Sequence, residues 1–200
     1  GAPTCTTTAT SSSPVGNYPT SCIGAVDPNY AITYVGGSVY VGRAVVGVTA
    51  SSTTTTYGEV AIVSASYDGF LFGEAGPATP AACASATTAT TGVGLYATTC
   101  DGAVDPNYDF AYVPGFVTIV PAAAFVIASS ASVGLGEAVP TITASYSGLV
   151  NGEIAPTVAP TCSTTATSAS PTGVYPSTCT GAADTNYTFD YVDGTMTITA

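Results

Sequence analysis

In residues 26–37, VDPNYAITYVGG, the large side chains Tyr30, Ile32 and Tyr34 fall on alternate positions, the period of a strand with one face turned inward. Asp-Pro-Asn precedes them as a turn former and Gly36-Gly37 follows, so the stretch predicts a strand that doubles back into SVYV as a hairpin. The pattern returns as VDPNYDFAYVPG at 104–115 and as ADTNYTFDYVDG at 183–194, with FVTIV and TMTIT as return strands beyond Pro114-Gly115 and Asp193-Gly194. Earlier in the chain, residues 6–10 and 17–22 flank the turn-rich SSSPVG and predict an antiparallel hairpin whose paired residue numbers sum to 27. The same centring falls at Thr91/Gly92 and Ser170/Pro171 in the later copies.

The three copies start at residues 26, 104 and 183, 78 and 79 residues apart. That period is longer than a solenoid turn and fits a small independent domain, so the expected organisation is beads in a row. The composition, rich in Thr, Ser, Ala, Val and Gly with scattered tyrosines, favours strands over helices. The fold class expected is mostly β: tandem small β-domains, Ig-like sandwich or β-grasp-like, of about 78 residues. Unit boundaries fall at 1–43, 44–121 and 122–200. The first unit lacks the leading half that reads GVTASSTTTTYGE and VIASSASVGLGE in the other two, which predicts an unpaired sheet edge there. The missing strands are expected upstream in the same polypeptide, with donation by another subunit as the alternative.

Charge narrows the function classes. Twelve carboxylates stand against one arginine, Arg43, with no lysine or histidine, a formal charge of −11. Such a surface neutralises no phosphate, which argues against nucleic acid and against an anionic membrane surface as partners. Thr, Ser or Gly interrupts the apolar residues every few positions, and no run approaches the roughly 20 residues of a membrane-spanning helix. No signal peptide is visible at Gly1.

The six cysteines fall as Cys5/Cys22, Cys83/Cys100 and Cys162/Cys179, each pair 17 apart and each directly opposed in the predicted hairpin register. Two cysteines per unit and no histidine fall short of the four ligands of a zinc site, so three disulfides are expected, and with them an oxidising, extracellular or cell-surface location.

At these residues the sequence resembles the MBG domains of the YGX type, tandem modules of bacterial surface and secreted proteins. The resemblance rests on Tyr57-Gly58-Glu59, on SYDGFLFGE and SYSGLVNGE at 66–74 and 145–153, on the Gly-x-Tyr of Tyr18, Tyr96 and Tyr175, and on the NYxIxYVxG stretch. The last unit departs from the pattern, with Leu135-Gly136-Glu137 in place of Tyr-Gly-Glu. The resemblance implies a β-rich spacer or display module and no catalytic residues.

Reactive chemistry is short of parts. Without His or Lys there is no usual nucleophile–base dyad, and no lysine for a Schiff base, a P-loop or an isopeptide lock. Glu59 with Glu74, or Glu137 with Glu153, could stand as a glycosidase's two carboxylates, but their glycine-flanked settings read as turns. No enzyme activity and no cofactor are expected. Asp27, Asp105 and Asp184, with Asn29, Asn107 and Asn186, offer hard oxygens for calcium, but Asp-x-Asn before a strand reads first as a turn device. Tyr30, Tyr34, Tyr108, Tyr112, Tyr187 and Tyr191 read as a repeated core, with carbohydrate stacking as the rival. Asn186-Tyr187-Thr188 is the one glycosylation sequon. The expected function is a structural tandem-repeat module of an extracellular fibre, stalk or adhesin, with copies of itself or neighbouring repeats as partners. The alternative is a carbohydrate-binding or adhesive module with glycans as ligands.

Overall fold

A computed structural model describes all 200 residues as strands and connections, with no helix. No helix is therefore long and apolar enough to cross a membrane. The first repeat contributes β1 (Thr4–Thr7), β2 (Gly16–Ile23) and β3 (Gly37–Val41). The second contributes β4 (Ala44–Ala50), β5 (Thr53–Thr56), β6 (Ala65–Asp68), β7 (Ala82–Ser85), β8 (Gly94–Asp101), β9 (Tyr108–Val113) and β10 (Gly115–Val120). The third repeats that set as β11 (Ala122–Ala128), β12 (Ala131–Gly134), β13 (Ala144–Ser147), β14 (Thr161–Thr164), β15 (Gly173–Thr180), β16 (Tyr187–Val192) and β17 (Gly194–Thr199).

The third repeat shows the plan. One sheet has the order β13-β11-β16 and the other β12-β17-β15-β14, and the first two strands of the repeat lie in different sheets. β11 pairs antiparallel with β13 and parallel with β16, while β12 pairs parallel with β17. The architecture is two sheets, and there is no helix for a sheet to grasp. Alternation explains the core: Ala124, Val126 and Ala128 on one face of β11 are buried, Val126 and Ala128 against Ile142 and the Cys162–Cys179 bridge, while Phe125 points outward. A second cluster gathers Met196 and Ile198 of β17 with Ala166. In the second repeat Val48, Ala50 and Cys100 form the matching core with Tyr67 and Phe110 against it.

The stretch expected as a closing hairpin is not one. β16 and β17 are consecutive in sequence but belong to different sheets, and so do β9 and β10, so Pro114-Gly115 and Asp193-Gly194 are crossings from sheet to sheet. The reason is steric and local. The Ser-Ser pair that links the leading strands crosses at the same point, and a Cβ at Gly194 would lie 2.5 Å from the Ala128 carbonyl oxygen and 2.6 Å from that of Ser129. At Gly115 the corresponding distances, to Ala50 and Ser51, are 2.4 and 2.7 Å. The serines fasten the crossing: Ser129 Oγ accepts from Thr143 N at 3.0 Å and Ser130 Oγ from Thr195 N at 3.0 Å. Glycine is present because two backbones touch, and a hairpin turn was the wrong inference from it.

The first copy differs further. Residues 30–35 form no strand, although 108–113 and 187–192 do. In the later copies this stretch is held by parallel pairing to β4 and β11, and the first repeat has no such strand to pair with. The three-stranded order β1-β2-β3 is all the regular sheet it forms.

The chain divides into two compact units, 1–51 with 63–84 and 98–115, and 52–62 with 85–97 and 116–200. Each unit contains one complete joint between successive repeats.

Candidate functional site: the joint between repeats

The expected disulfides are the simplest feature to place. Cys5 opposes Cys22 and Cys162 opposes Cys179 in the antiparallel register of their hairpins, and S–S bonds join Cys5–Cys22, Cys83–Cys100 and Cys162–Cys179, leaving no free cysteine. Register puts each pair face to face, and oxidation then closes a short loop without distorting the ladder. Cys100 and Cys179 are buried, whereas Cys5 is exposed.

Next to each bridge the chain folds a hydroxyl-rich loop. Thr10 N donates to Ser13 Oγ, Thr88 N to Thr91 Oγ1 and Thr167 N to Ser170 Oγ, at 2.8 to 3.0 Å. The tyrosine of each Gly-x-Tyr reaches back to pin its loop: Tyr18 to the Pro14 carbonyl, Tyr96 to Gly92 and Tyr175 to Pro171, at 2.7 to 2.9 Å. This fixes the backbone N–H that follows the loop, on Val15 and Val93, as a preset donor.

The Asp-x-Asn motif of the next repeat takes that donor. Asp105 Oδ1 accepts from Asn107 N and Asp184 Oδ1 from Asn186 N, both at 2.8 Å, as does Asp27 from Asn29 N at 2.9 Å, so the motif is an Asx turn in all three copies. The second carboxylate oxygen accepts from Ala78 N on Asp105 and from Thr157 N on Asp184. The Thr157 hydroxyl also bonds Asp184, and that contact holds its carboxyl below the usual carboxylate range. The turn presents the Asn side chain outward. Asn107 Oδ1 accepts from Val15 N at 3.0 Å, and Asn186 Oδ1 from Val93 N at 3.0 Å. In the second and third copies the oxygens considered as calcium ligands accept from backbone amides, while in the first only Asp27 Oδ1 does so; no three His, Cys, Asp or Glu side chains gather as a metal cluster. Asn186, the sequon residue, belongs to this clasp.

The joint between the second and third repeats adds a phenol. After β5 the chain enters Tyr57-Gly58-Glu59, where Glu59 Oε2 accepts from Thr56 N and tightens the turn. Tyr57, 5% exposed, meets the Tyr187 ring edge to face with centroids 5.5 Å apart, and donates to Glu153 Oε1 at 2.6 Å. The Glu153 bond raises the Tyr57 phenol's pKa. Tyr187 accepts from Val150 N at 2.9 Å; burial of its ring, with Glu153 adding to it, pushes its phenol up to about 12. Asn151 donates to the Ala89 carbonyl oxygen at 3.0 Å. Gly58, at φ 96°, could carry no side chain here: its Cβ would sit 2.7 Å from Val150 Cγ2.

Three of the four glutamates considered as carboxylate pairs have structural partners. Glu59 and Glu137 brace their own turns, Glu137 by accepting from Gly134 N at 2.8 Å, and Glu153 receives a tyrosine. The six repeated tyrosines separate by role. Tyr108 and Tyr187 are buried at the joints, while Tyr112 and Tyr191 stand at the edge and accept backbone N–H bonds from Ala103 and Ala182. Tyr30 and Tyr34 are exposed, Tyr34 accepting the Ala25 N–H. Sequence reasoning missed the reach of Asn107 and Asn186 to the preceding repeat, and the Tyr57–Glu153 bond. The available signal was that Asn recurs without exception in a motif where turn chemistry alone also admits other residues.

What fold and site define is a protein of tandem two-sheet β-repeats, stapled once per repeat and clasped to one another by repeating side chains. The family model for the MBG domain (YGX type) matches residues 2–40, 46–118 and 125–197, and the chain belongs to that family. No individual curated protein matches it.

Proposed function

We propose that the chain is a structural spacer of an extracellular fibre, stalk or adhesin, repeating at residues 44 and 122, and that it performs no catalysis. The observation that carries this reading is the joint. The same Asx-turn asparagine clasps the same backbone N–H of the preceding repeat at both junctions, which is what a chain needs in order to transmit load from repeat to repeat. A disulfide in every repeat supports an oxidising compartment outside the cytoplasm. The charge of −11 supports neither nucleic-acid nor anionic-membrane contact. The carbohydrate alternative loses Tyr108 and Tyr187, which are spent on packing, and keeps Tyr30, Tyr34, Tyr112 and Tyr191, which are exposed. Labelling of intact, unpermeabilised producing cells with an antibody raised against the chain, followed by non-reducing peptide mapping, tests the reading. Labelled protein with three intra-repeat bridges is expected; reduced protein confined to the cytosol overturns it, and saturable binding on a glycan array replaces it with the alternative.

A further inference from the structure

The second and third repeats are built alike, strand for strand, yet one exposed face differs between them in chemistry. β10 and β17 alternate in the same way, buried at Val117 and Ile119 and at Met196 and Ile198, and open at the residues between. On that open face the third repeat sets Thr195, Thr197 and Thr199, whereas the second sets Phe116, Thr118 and Val120. At the neighbouring strand, Thr172 and Val174 of the third repeat are matched by Val93 and Leu95 in the second. Leu95 is 64% exposed, Phe116 48%, and Val93 and Val120 37% each.

In the third repeat Val174 opposes Thr197 and Pro176 opposes Thr195. The same register in the second sets Leu95 beside Thr118 and Ala97 beside Phe116, and one step further Val93 beside Val120. Opposed and diagonal side chains on one sheet face reach one another, so the four large apolar groups make a single patch around the Thr118 hydroxyl. All six residues belong to one compact unit of the chain. None of them is charged, and neither is any residue of β5 or β10. A solitary exposed apolar residue is ordinary on a protein surface, but a contiguous group that replaces hydroxyls position by position marks a contact.

We infer that this patch is the contact face for a second copy of the chain, packed patch on patch about a two-fold axis. Charge selects the occupant. Twelve carboxylates stand against one arginine, so two copies repel wherever their acidic groups meet, and the three-stranded sheets hold Asp109 and Asp190 exposed. The uncharged face is where like copies approach without that cost, and a basic partner finds no carboxylate on it to hold. An isologous contact sets Leu95 and Phe116 of one copy against those of the other. The Thr118 hydroxyl both donates and accepts, so it can pair with its own counterpart. The matching face of the third repeat, with threonine at three of these positions, is the comparison the molecule itself supplies. The inference goes beyond the spacer reading, depends on no cellular location, and leaves that reading standing if it fails.

Sedimentation velocity of the full 200-residue chain over a series of concentrations tests the contact. A monomer–dimer equilibrium is expected, and sodium chloride should tighten it, because salt screens the repulsion between acidic copies and leaves apolar contact intact. Phe116→Thr, which places the third repeat's residue in the second, should weaken the dimer roughly tenfold or more, as for an anchor at the centre of an interface. Its thermal melt at monomer concentrations should match that of the unaltered chain. Thr195→Ala, on the matching face of the third repeat, should leave the equilibrium unchanged. Hydroxyl-radical footprinting should show Leu95 and Phe116 losing reactivity as concentration rises. A dimer indifferent to Phe116→Thr, a dimer weakened by salt, or protection confined to β3 each overturns the inference. So does a chain that stays monomeric at every concentration and salt, including one whose patch binds an apolar dye, which would give the face to an occupant other than a second copy.

Discussion

Ser177 shows how much one methyl-bearing hydroxyl matters at a buried crossing. Its counterpart Thr98 is fully buried and donates to the Ser51 carbonyl oxygen at 2.9 Å, whereas Ser177 is equally buried and its Oγ has no partner. The β-branch of threonine restricts χ1 and aims the hydroxyl, which serine does not do. Ser177→Thr is therefore expected to raise stability by about 1 kcal/mol, the value of satisfying one buried hydroxyl, measurable by urea denaturation; a loss of stability would mean that the added methyl has no room. Tyr187 gives a second test at this scale. Its folded pKa of about 12 lies above the ordinary value of about 10, so the neutral phenol is the form the fold favours. Its contribution is intact below pH 10 and is lost as pH climbs through 12. A spectrophotometric titration should show a late-ionising group of tyrosines whose last member disappears in Tyr187→Phe, and early ionisation of all thirteen tyrosines would remove the buried joint.

Among the elements, the crossing at β16–β17 is the least tolerant point. A Cβ on Gly194 would meet two carbonyl oxygens, and backbone cannot rotate away as a side-chain tip can. Gly194→Ala should cost about 3 kcal/mol through forced displacement of the Ala128–Ser129 strand end, whereas Gly152→Ala, with open space around its Cβ but a left-handed φ of 78°, should cost about 1 kcal/mol. Thermal melts of the two variants compare them directly. The hairpin staples differ by exposure and not by register. Cys5 lies in the open, while the other two bridges each keep one buried cysteine, so graded dithiothreitol followed by alkylation should label Cys5 and Cys22 first. Once all three are open, each 17-residue loop regains on the order of 3 kcal/mol of chain entropy in the unfolded state, and labelling of Cys162 and Cys179 ahead of Cys5 would contradict the burial described.

For the whole molecule the consequential feature is that joints, and not only repeats, are compact. Tyr57 belongs by sequence to the second repeat and by contact to the unit that contains the third. Tyr57→Phe removes the donor to Glu153 while keeping the ring on Tyr187, and is expected to destabilise that unit by on the order of 1–2 kcal/mol. In Glu153→Gln the same substitution should cost markedly less, because the two groups are partners, and a double-mutant cycle followed by calorimetry reads the coupling. Additive effects would show that the 2.6 Å contact carries no energy. The lone ion pair, Arg43–Asp109 at 3.2 Å, is half exposed at both ends and contributes little by comparison.

The period of 78 to 79 residues, the all-β character, the hairpin register and the opposed cysteines are legible in the residues alone, because all of these are local: alternation, turn residues and spacing act between neighbours in the chain. It also placed Asp-x-Asn as a turn, since an Asx turn closes over two residues. The folded structure was needed to show that residues 108–113 and 115–120 part into separate sheets, because Gly115 reads alike as a turn glycine and as a glycine pressed against a crossing backbone. It decided which tyrosines are buried, because Tyr30 and Tyr108 sit in nearly identical words and differ in whether a parallel strand lies beside them. And it decided what the asparagines do, because a contact spanning 92 or 93 residues has no trace in the spacing of its own repeat.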